Sequence, residues 1–297
     1  MFEQVIVGVD GLSGGRDALT LARQLAGKRG AIVLAHIYIE TLPPARGSPG
    51  IVQAGERARS QELLESVRWE SGVDARLCSI ESPFVGRGLH ELAERIDADL
   101  IVVGSSRRGL VGRVLQGDDM RAALNAAPCA VAIAPSGYAQ RPALLVEIGV
   151  GYDGSPESRN ALAFAHGLAV ERHAHVSVFE AVVMSPPGGA DVQHPDRNTL
   201  QAKVDQARER LASLGDVEPH AAYGDAAEEL AMYGASVDLL IVGSRGYGPL
   251  GRLIHGRTSL RLAHTARCPL LVLPRGAPSD GTAAATERTQ PQPPTGR

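Results

Sequence analysis

Aromatic residues are scarce in this chain: one Trp, six Tyr and four Phe, 4% of 297 residues. A core of ordinary size must therefore be built from Val, Leu, Ile and Ala, within a hydrophobic content of 44%. That supply suits buried parallel strands flanked by helices. Cysteine is also sparse. Cys78, Cys129 and Cys268 form an odd, widely spaced set that excludes a disulfide framework and reads as buried thiols in a reducing cytoplasm. Charge of neither sign dominates: the net value of −3, with no basic stripe, gives no electrostatic reason to expect nucleic acid or an anionic membrane as partner. Long apolar runs are missing too. Stretches such as 239–242 and 270–273 are strand-sized, far short of the roughly 20 residues a membrane helix needs. The start, Met1-Phe2-Glu3-Gln4, has no basic region before its apolar run, so no signal peptide is expected and the cytoplasm is the expected location.

What the chain does have is an internal repeat. Asp99-Leu100-Ile101-Val102-Val103-Gly104-Ser105 recurs 139 residues later as Asp238-Leu239-Leu240-Ile241-Val242-Gly243-Ser244. The same offset carries Gly109, Gly112, Arg113, Gly117, Cys129 and Pro135 onto Gly248, Gly251, Arg252, Gly256, Cys268 and Pro274. A second anchor, Val7-Gly8-Val9-Asp10-Gly11, recurs at an offset of 143 as Val150-Gly151-Tyr152-Asp153-Gly154. The chain is thus a tandem duplication of one α/β unit, and its length suits two domains.

Each half reads as five strands separated by helix-length segments, the pattern of crossover units and a parallel sheet. The strands are expected at 4–9, 31–37, 74–79, 100–103 and 131–134, then at 147–151, 176–181, 218–222, 239–242 and 270–273. Pro219 marks the third strand of the second half as an edge. Ser13, Ser155-Pro156 and the stretches 53–71 and 199–214 cue helices. Pro- and Gly-rich loops at 41–50 and 185–198 follow the second strand of each half and either lid a site or simply connect. The domains are expected at 1–141 and 142–275, followed by a disordered tail, 276–297.

The chemistry concentrates where the fourth strand meets its glycine-rich turn. In the second half Gly243, Gly246 and Gly256 follow the pattern G-x2-G-x9-G, which lets main-chain amides approach an anion, and Gly256 would open a helix whose N-terminus faces phosphate. Spacing alone decides nothing, since with 34 glycines three fixed ones arise by chance roughly 0.4 times in such a chain. Position after a buried strand, and the matching Asp153 anchor, give the pattern its weight.

This ordered set resembles the universal stress protein family over roughly 1–136 and 142–275. The resemblance rests on Asp10-Gly11 and Asp153-Gly154, the Asp-Leu-Ile-Val-Val-Gly-Ser run, the glycine turn, and the closing Cys268-Pro269-Leu270-Leu271-Val272. It implies two tandem doubly wound, Rossmann-like domains of the adenine nucleotide alpha hydrolase-like kind, each a five-stranded parallel sheet of order 3-2-1-4-5. ATP binding, dimerisation through the last strand, and a regulatory rather than fast catalytic role in stress response come with it. Carried over, it assigns Asp153 and the main chain near Ala181 to the adenine and ribose end. Gly243, Gly246, Gly256, Arg257, Thr258 and Ser259 fall to the triphosphate, with Mg²⁺ as the nucleotide's counterion. Arg257 departs from the family's Ser or Thr there, although a guanidinium can pair with phosphate. The first-half positions are Asp10, Ile37, Gly104 and Gly117. There Arg107 replaces the second glycine, and Asp118-Asp119 stand where hydroxyls are usual, able to fill a helix N-terminus themselves. Arg107 and Arg108 could instead hold phosphate.

Ser13-Gly14-Gly15-Arg16-Asp17 looks like the loop of ATP pyrophosphatases, but Ala18 breaks the motif, its duplicate lacks the glycine pair, and the glycines read better as opening helix one. His173 and His175 have no metal-ligand spacing, and His36 reads as a satisfied strand-end residue. Arg113 and Arg252 line a phosphate or sit on a solvated helix. The expectation is an ATP-binding regulator with slow or no hydrolysis. The two halves should pair within the chain through their last strands, with room for association of two chains and for a regulatory protein partner. Two alternatives stay open: a nucleotide-independent interaction module with decayed sites, and an adenylating enzyme.

Overall fold

The computed structural model describes residues 1–38, 49–105, 123–124, 127–183, 197–244 and 257–274, with the backbone alone at 49–54 and 257. The first half runs β1 (Phe2–Gly8), α1 (Ser13–Leu25), β2 (Ala26–Tyr38), α2 (Pro49–Ser71), β3 (Ala75–Glu81), α3 (Val85–Ile96), β4 (Leu100–Gly104) and β5 (Ala130–Ala134). A 3-10 turn, Tyr138–Gln140, leads to the second half. That half runs β6 (Glu147–Gly151), α4 (Pro156–Arg172), β7 (His175–Val182), α5 (Arg197–Ala212), β8 (Glu218–Tyr223), α6 (Ala226–Tyr233), β9 (Leu239–Gly243), α7 (Arg257–Thr265) and β10 (Leu270–Leu273).

The strands form one sheet of order β3-β2-β1-β4-β5-β10-β9-β6-β7-β8. Each half has the expected order 3-2-1-4-5, all parallel, and β5 meets β10 antiparallel, Ala132 opposite Leu271. The last strands are nearly free of polar side chains, Ala-Val-Ala-Ile-Ala and Leu-Leu-Val-Leu, and every residue of both is buried. Pairing them removes two sheet edges that would otherwise invite association. β3 and β8 remain as edges, and Pro219 lies in β8 as expected.

Among the described residues two large hydrophobic cores cover the two faces of the sheet, each running through both halves, and a small third cluster joins Val204 and Ala207 of α5 to Ala221 of β8. Of the two large cores, one gathers α1, α2 and α4 around Val5, Val7, Leu100, Ile148, Val150 and Ile241; the other gathers α3, α6 and α7 around Ile6, Ile101, Ile133, Leu240 and Val272. Buried apolar side chains, stabilising at roughly 25 cal/mol per Å² removed from water, thus bridge the seam as well as each half. Phe2 and Phe164 add a tilted ring pair across it, centroids 5.3 Å apart.

Three details depart from the sequence reading. β2 starts at Ala26 rather than near 31, because Phe2 pairs with Ala26 before the register shifts ahead of Gln4. Ser13 is not the cap of α1: Leu12 occupies the cap position with no side-chain bond, and Asp10 Oδ1 accepts from the Leu12 amide at 2.9 Å. Cys78 is half-buried, whereas Cys129 and Cys268 are buried and burial pushes both thiols up to about 12. Such thiols are inert at neutral pH.

Asp17 was legible only as part of a discarded motif, and its place is structural. It is buried, and its carboxylate accepts from the amides of Gly137 and Ala139 at 2.9 and 2.7 Å, fastening the inter-half turn to α1. Gln24 adds bonds to the Ala143 carbonyl at 2.6 Å and to the Tyr138 hydroxyl.

Candidate functional site

The carboxyl ends of β6, β7 and β9 open onto a cleft of about 160 Å³. Asp153, Ala181, Gly243, Thr258 and Ser259, five of the expected site residues, line it together. Asp10, Ile37 and Gly104 take the corresponding places at the ends of β1, β2 and β4 in the first half. Of Arg257 only the backbone is described, as the first residue of α7. Gly117, Gly246 and Gly256, with Arg107, Arg108, Arg113, Asp118, Asp119, Arg252 and the tail 276–297, lie outside the described residues, as do most of the two Pro/Gly-rich loops.

The floor of the cleft follows from close packing. A Cβ on Gly243 would stand 2.6 Å from the main-chain carbonyl of Glu157, so only glycine lets the first turn of α4 rest on the end of β9. Gly104 serves the same purpose in the first half, where a Cβ would stand 2.6 Å from the carbonyl carbon of Gly14. The glycine pair of α1 is thereby explained by helix–strand packing. Past Gly243, Ser244 is buried with a hydroxyl that has no hydrogen-bond partner among the described residues, while its amide bonds to the Leu273 carbonyl at 2.9 Å.

Two helix N-termini converge on the cleft. α4 begins behind the Asp153-Gly154 turn, where Gly154 has φ +76° and Asp153 Oδ1 accepts from the Ser155 amide at 2.9 Å. Ser155 then caps α4 by accepting from the Ser158 amide at 3.1 Å. α7 brings Thr258 and Ser259 to the opposite wall. Its position is set by Arg261, which reaches Asp225 and Glu228 at 2.8 Å each. Asp225 caps α6; its bond from the Glu228 amide, aided by Arg261, holds its carboxyl below the usual range. Partial positive charge from both helix ends thus faces the same space.

The remaining wall is main chain and apolar surface. The Tyr152 amide donates to the Phe179 carbonyl at 2.9 Å, and the Gly224 amide donates to the Val182 carbonyl at 3.3 Å. Odd-numbered residues of β7 therefore turn their peptide groups toward β6, even-numbered ones toward β8. β6 ends at Gly151, opposite Phe179, so Ala181 aims its N–H and C=O at the cleft with no strand opposite among the described residues. Phe179 is braced from behind by Tyr233, stacked at 4.8 Å between ring centroids and hydrogen-bonded to Ser177. Burial pushes the Tyr233 hydroxyl up to about 12. Gly149 makes room for this ring, since a Cβ there would stand 2.8 Å from its Cε1.

A model of the universal stress protein family matches residues 1–135 and 147–274. The chain belongs to that family. Among universal stress proteins, one from Mycobacterium tuberculosis is 28% identical over 285 residues, spanning 90% of this chain and 96% of the relative. YxiE of Bacillus subtilis is 30% identical over 141 residues, 42% of this chain but 95% of its own length, so it corresponds to a single half. A solved universal stress protein structure from Archaeoglobus fulgidus matches with a TM-score of 0.63 at 16% identity, covering 92% of this chain and 98% of its own. That likeness supports the two-unit α/β fold.

Sequence reading of this universal stress protein missed Tyr152, Ser155, Ser158, Phe179, Ala226, Leu230 and Val242, all of which line the cleft. Comparing the two halves position by position could have found Ala226, because Val85 stands in its place. His36 is satisfied, its Nδ1 lying 2.8 Å from the Ser60 hydroxyl, and burial holds its pKa below the ordinary value against the pull of Asp10 and Glu56. His173 and His175 are exposed, but they do not share a strand: His173 caps the end of α4 in the left-handed conformation and β7 begins at His175. No cluster of three or more metal-binding side chains occurs among the described residues, and no helix there is long and apolar enough to cross a membrane.

Proposed function

We propose that the second half binds an adenine nucleotide, ATP with its Mg²⁺, and that binding sets a regulatory state of this universal stress protein. The observation that carries this reading is the meeting, in one cleft, of the Ala181 peptide groups, which have no strand opposite them among the described residues, with two helix N-termini. A donor and an acceptor side by side complement the ring nitrogen N1, which accepts, and the exocyclic amine, which donates, on the edge of adenine. Asp153 at the lip suits ribose hydroxyls. Thr258, Ser259 and the start of α7 suit phosphate, which backbone amides and a helix dipole favour. A cleft of about 160 Å³ is on the scale of a purine ring, so the phosphates extend beyond it, past Gly243.

Among the described residues lining the cleft Asp153 is the one carboxylate and there is no imidazole; with Asp153 given to the ribose, this reading has hydrolysis slow or absent. The regulatory output then comes from a nucleotide-dependent change in the surface offered to a partner. To test the reading, the protein is purified without added nucleotide and denatured, and released small molecules are identified by mass spectrometry, followed by calorimetric titration with Mg-ATP. Release or uptake of adenine nucleotide is expected. Its absence in both measurements would favour an interaction module that works without nucleotide.

A further inference from the structure

The helix that carries Thr258 and Ser259 is tied down by a bridge that the repeat does not share. Arg261 stands one turn into α7 and spreads its guanidinium over the start of α6, Nη1 to Asp225 Oδ1 and Nη2 to Glu228 Oε1, each at 2.8 Å. Asp225 is at the same time the cap of α6, accepting from the Ala227 and Glu228 amides at 3.0 and 3.2 Å. One planar fork, with a nitrogen for each acid, thus joins the first turns of two helices, a geometry that arginine supplies and lysine does not. In the first half the cap of α3 is Phe84, with no side-chain bond, and its third residue is Arg87, which pairs along its own helix with Glu91 at 2.7 Å. The 139-residue offset of the repeat sets Ala122 against Arg261.

What the bridge does follows from where it sits. Leu262 and Ala263 are buried in the core that α6 shares, and they hold α7 to the sheet. Apolar burial is non-directional, so it leaves the roll of the helix to polar contacts. Arg261 follows Thr258 by three residues, the spacing at which helical side chains share a face, and lies about 4.5 Å further along the axis. Anchoring Arg261 therefore sets the direction in which Thr258 and the first N–H groups of α7 face. Charge acts in the same place. Asp225 and Glu228 stand on either side of Ala226, which lines the cleft with Thr258 and Ser259, and two carboxylates there oppose a phosphate. The guanidinium against both of them offsets part of that field. All three side chains are half or more exposed, so the ion pairs add little to stability; their consequence is orientation and local charge.

We propose that Arg261 is a positioning residue for the phosphate end of the cleft: it aims the first turn of α7 at the phosphates and offsets the two carboxylates beside them. The site thereby favours a phosphorylated nucleoside over the bare nucleoside. Arg261 is not among the residues lining the cleft and acts through α7 and the two acids. The assignment rests on the adenine-nucleotide reading above.

The test is titration calorimetry of full-length protein with Mg-ATP, and with adenosine by displacement of Mg-ATP, comparing wild type with R261M and R261K. Circular dichroism and melting temperature report whether each variant is folded. In R261M the affinity for Mg-ATP is expected to fall about five- to tenfold while that for adenosine changes by less than about twofold. R261K, which returns a positive charge without the fork, should recover part of the loss. Should R261M fail to fold, R261K alone is read by the same ratio of the two affinities, and a fall confined to Mg-ATP supports the assignment. An equal fall for both ligands marks an arginine that only supports the fold and overturns the assignment, as does undiminished Mg-ATP affinity in a folded R261M. No binding by wild type overturns the nucleotide reading itself, and the assignment falls with it.

Discussion

At the ends of β1 and β6 the two halves of the molecule are nearly superimposable in hydrogen bonding, down to the bonds from Asp10 to Leu12 and from Asp153 to Ser155, both 2.9 Å. They differ in what stands around that frame. The first half has its large side chain at Ile37 and its small one at Ala35; the second has Phe179 and Ala181. Duplication copied a backbone, and divergence inverted the packing on it. The lesson is that a repeated motif reports which backbone geometry a fold reuses, while the side chains packed around it need not repeat.

The largest expected effect tests what the halves share. Gly243→Val, placing a side chain 2.6 Å from Glu157 main chain, should destabilise the protein by about 3 kcal/mol or more, read as a fall in the urea midpoint. Gly104→Val should cost at least as much, because the main chain of Gly14 lies closer still. A tolerated valine at one of the two would break the equivalence of the helix–strand contacts.

Next comes a feature of the first half alone. Asp17→Ala strands the Gly137 and Ala139 amides and should cost about 3 kcal/mol in chemical denaturation. Asn160, the residue at the matching offset, lies on α4, and replacing it by Ala should change stability by no more than about 0.5 kcal/mol.

A smaller effect belongs to the second half. Tyr233→Phe removes the bond to Ser177, leaving that buried hydroxyl unsatisfied, at a cost of about 1 kcal/mol in the same assay. The matching first-half residue is Leu92, which has no hydroxyl to lose. The smallest effect is a pH dependence. The Asp225 carboxyl is held below 3.8, so its stabilisation is present above that value and is lost as pH falls through the lowered one. Melting curves of wild type and Asp225→Asn should differ at neutral pH and converge below about pH 4. In the first half the cap position of α3 is Phe84, with no side-chain bond, so Phe84→Asn should raise stability, by about 0.5 kcal/mol.

Much of this architecture was legible in the chain. Short runs of Val and Ile between helix-length segments dictated parallel crossover units, because strands buried on both faces need apolar residues at every position. The 139-residue repeat gave the duplication, and Pro219 gave an edge because it cannot donate to a ladder. The start of β2 was not legible, since Ala26-Gly27-Lys28-Arg29-Gly30 has turn composition and becomes strand only because Phe2 lies opposite Ala26.

For the candidate site, sequence marked the aspartate and glycine positions, whose backbone demands leave a residue-type imprint. It determined by itself that there are two α/β units and where each turns at the end of its strands. Only tertiary structure decided that β5 and β10 pair antiparallel with Ala132 opposite Leu271, that Asp17 fastens the connection, and that Ala181 and Ala226 line one cleft while Ile37 and Val85 pack on a core. Those outcomes depend on which side chains from distant segments share a volume, and no local pattern in a chain encodes a volume.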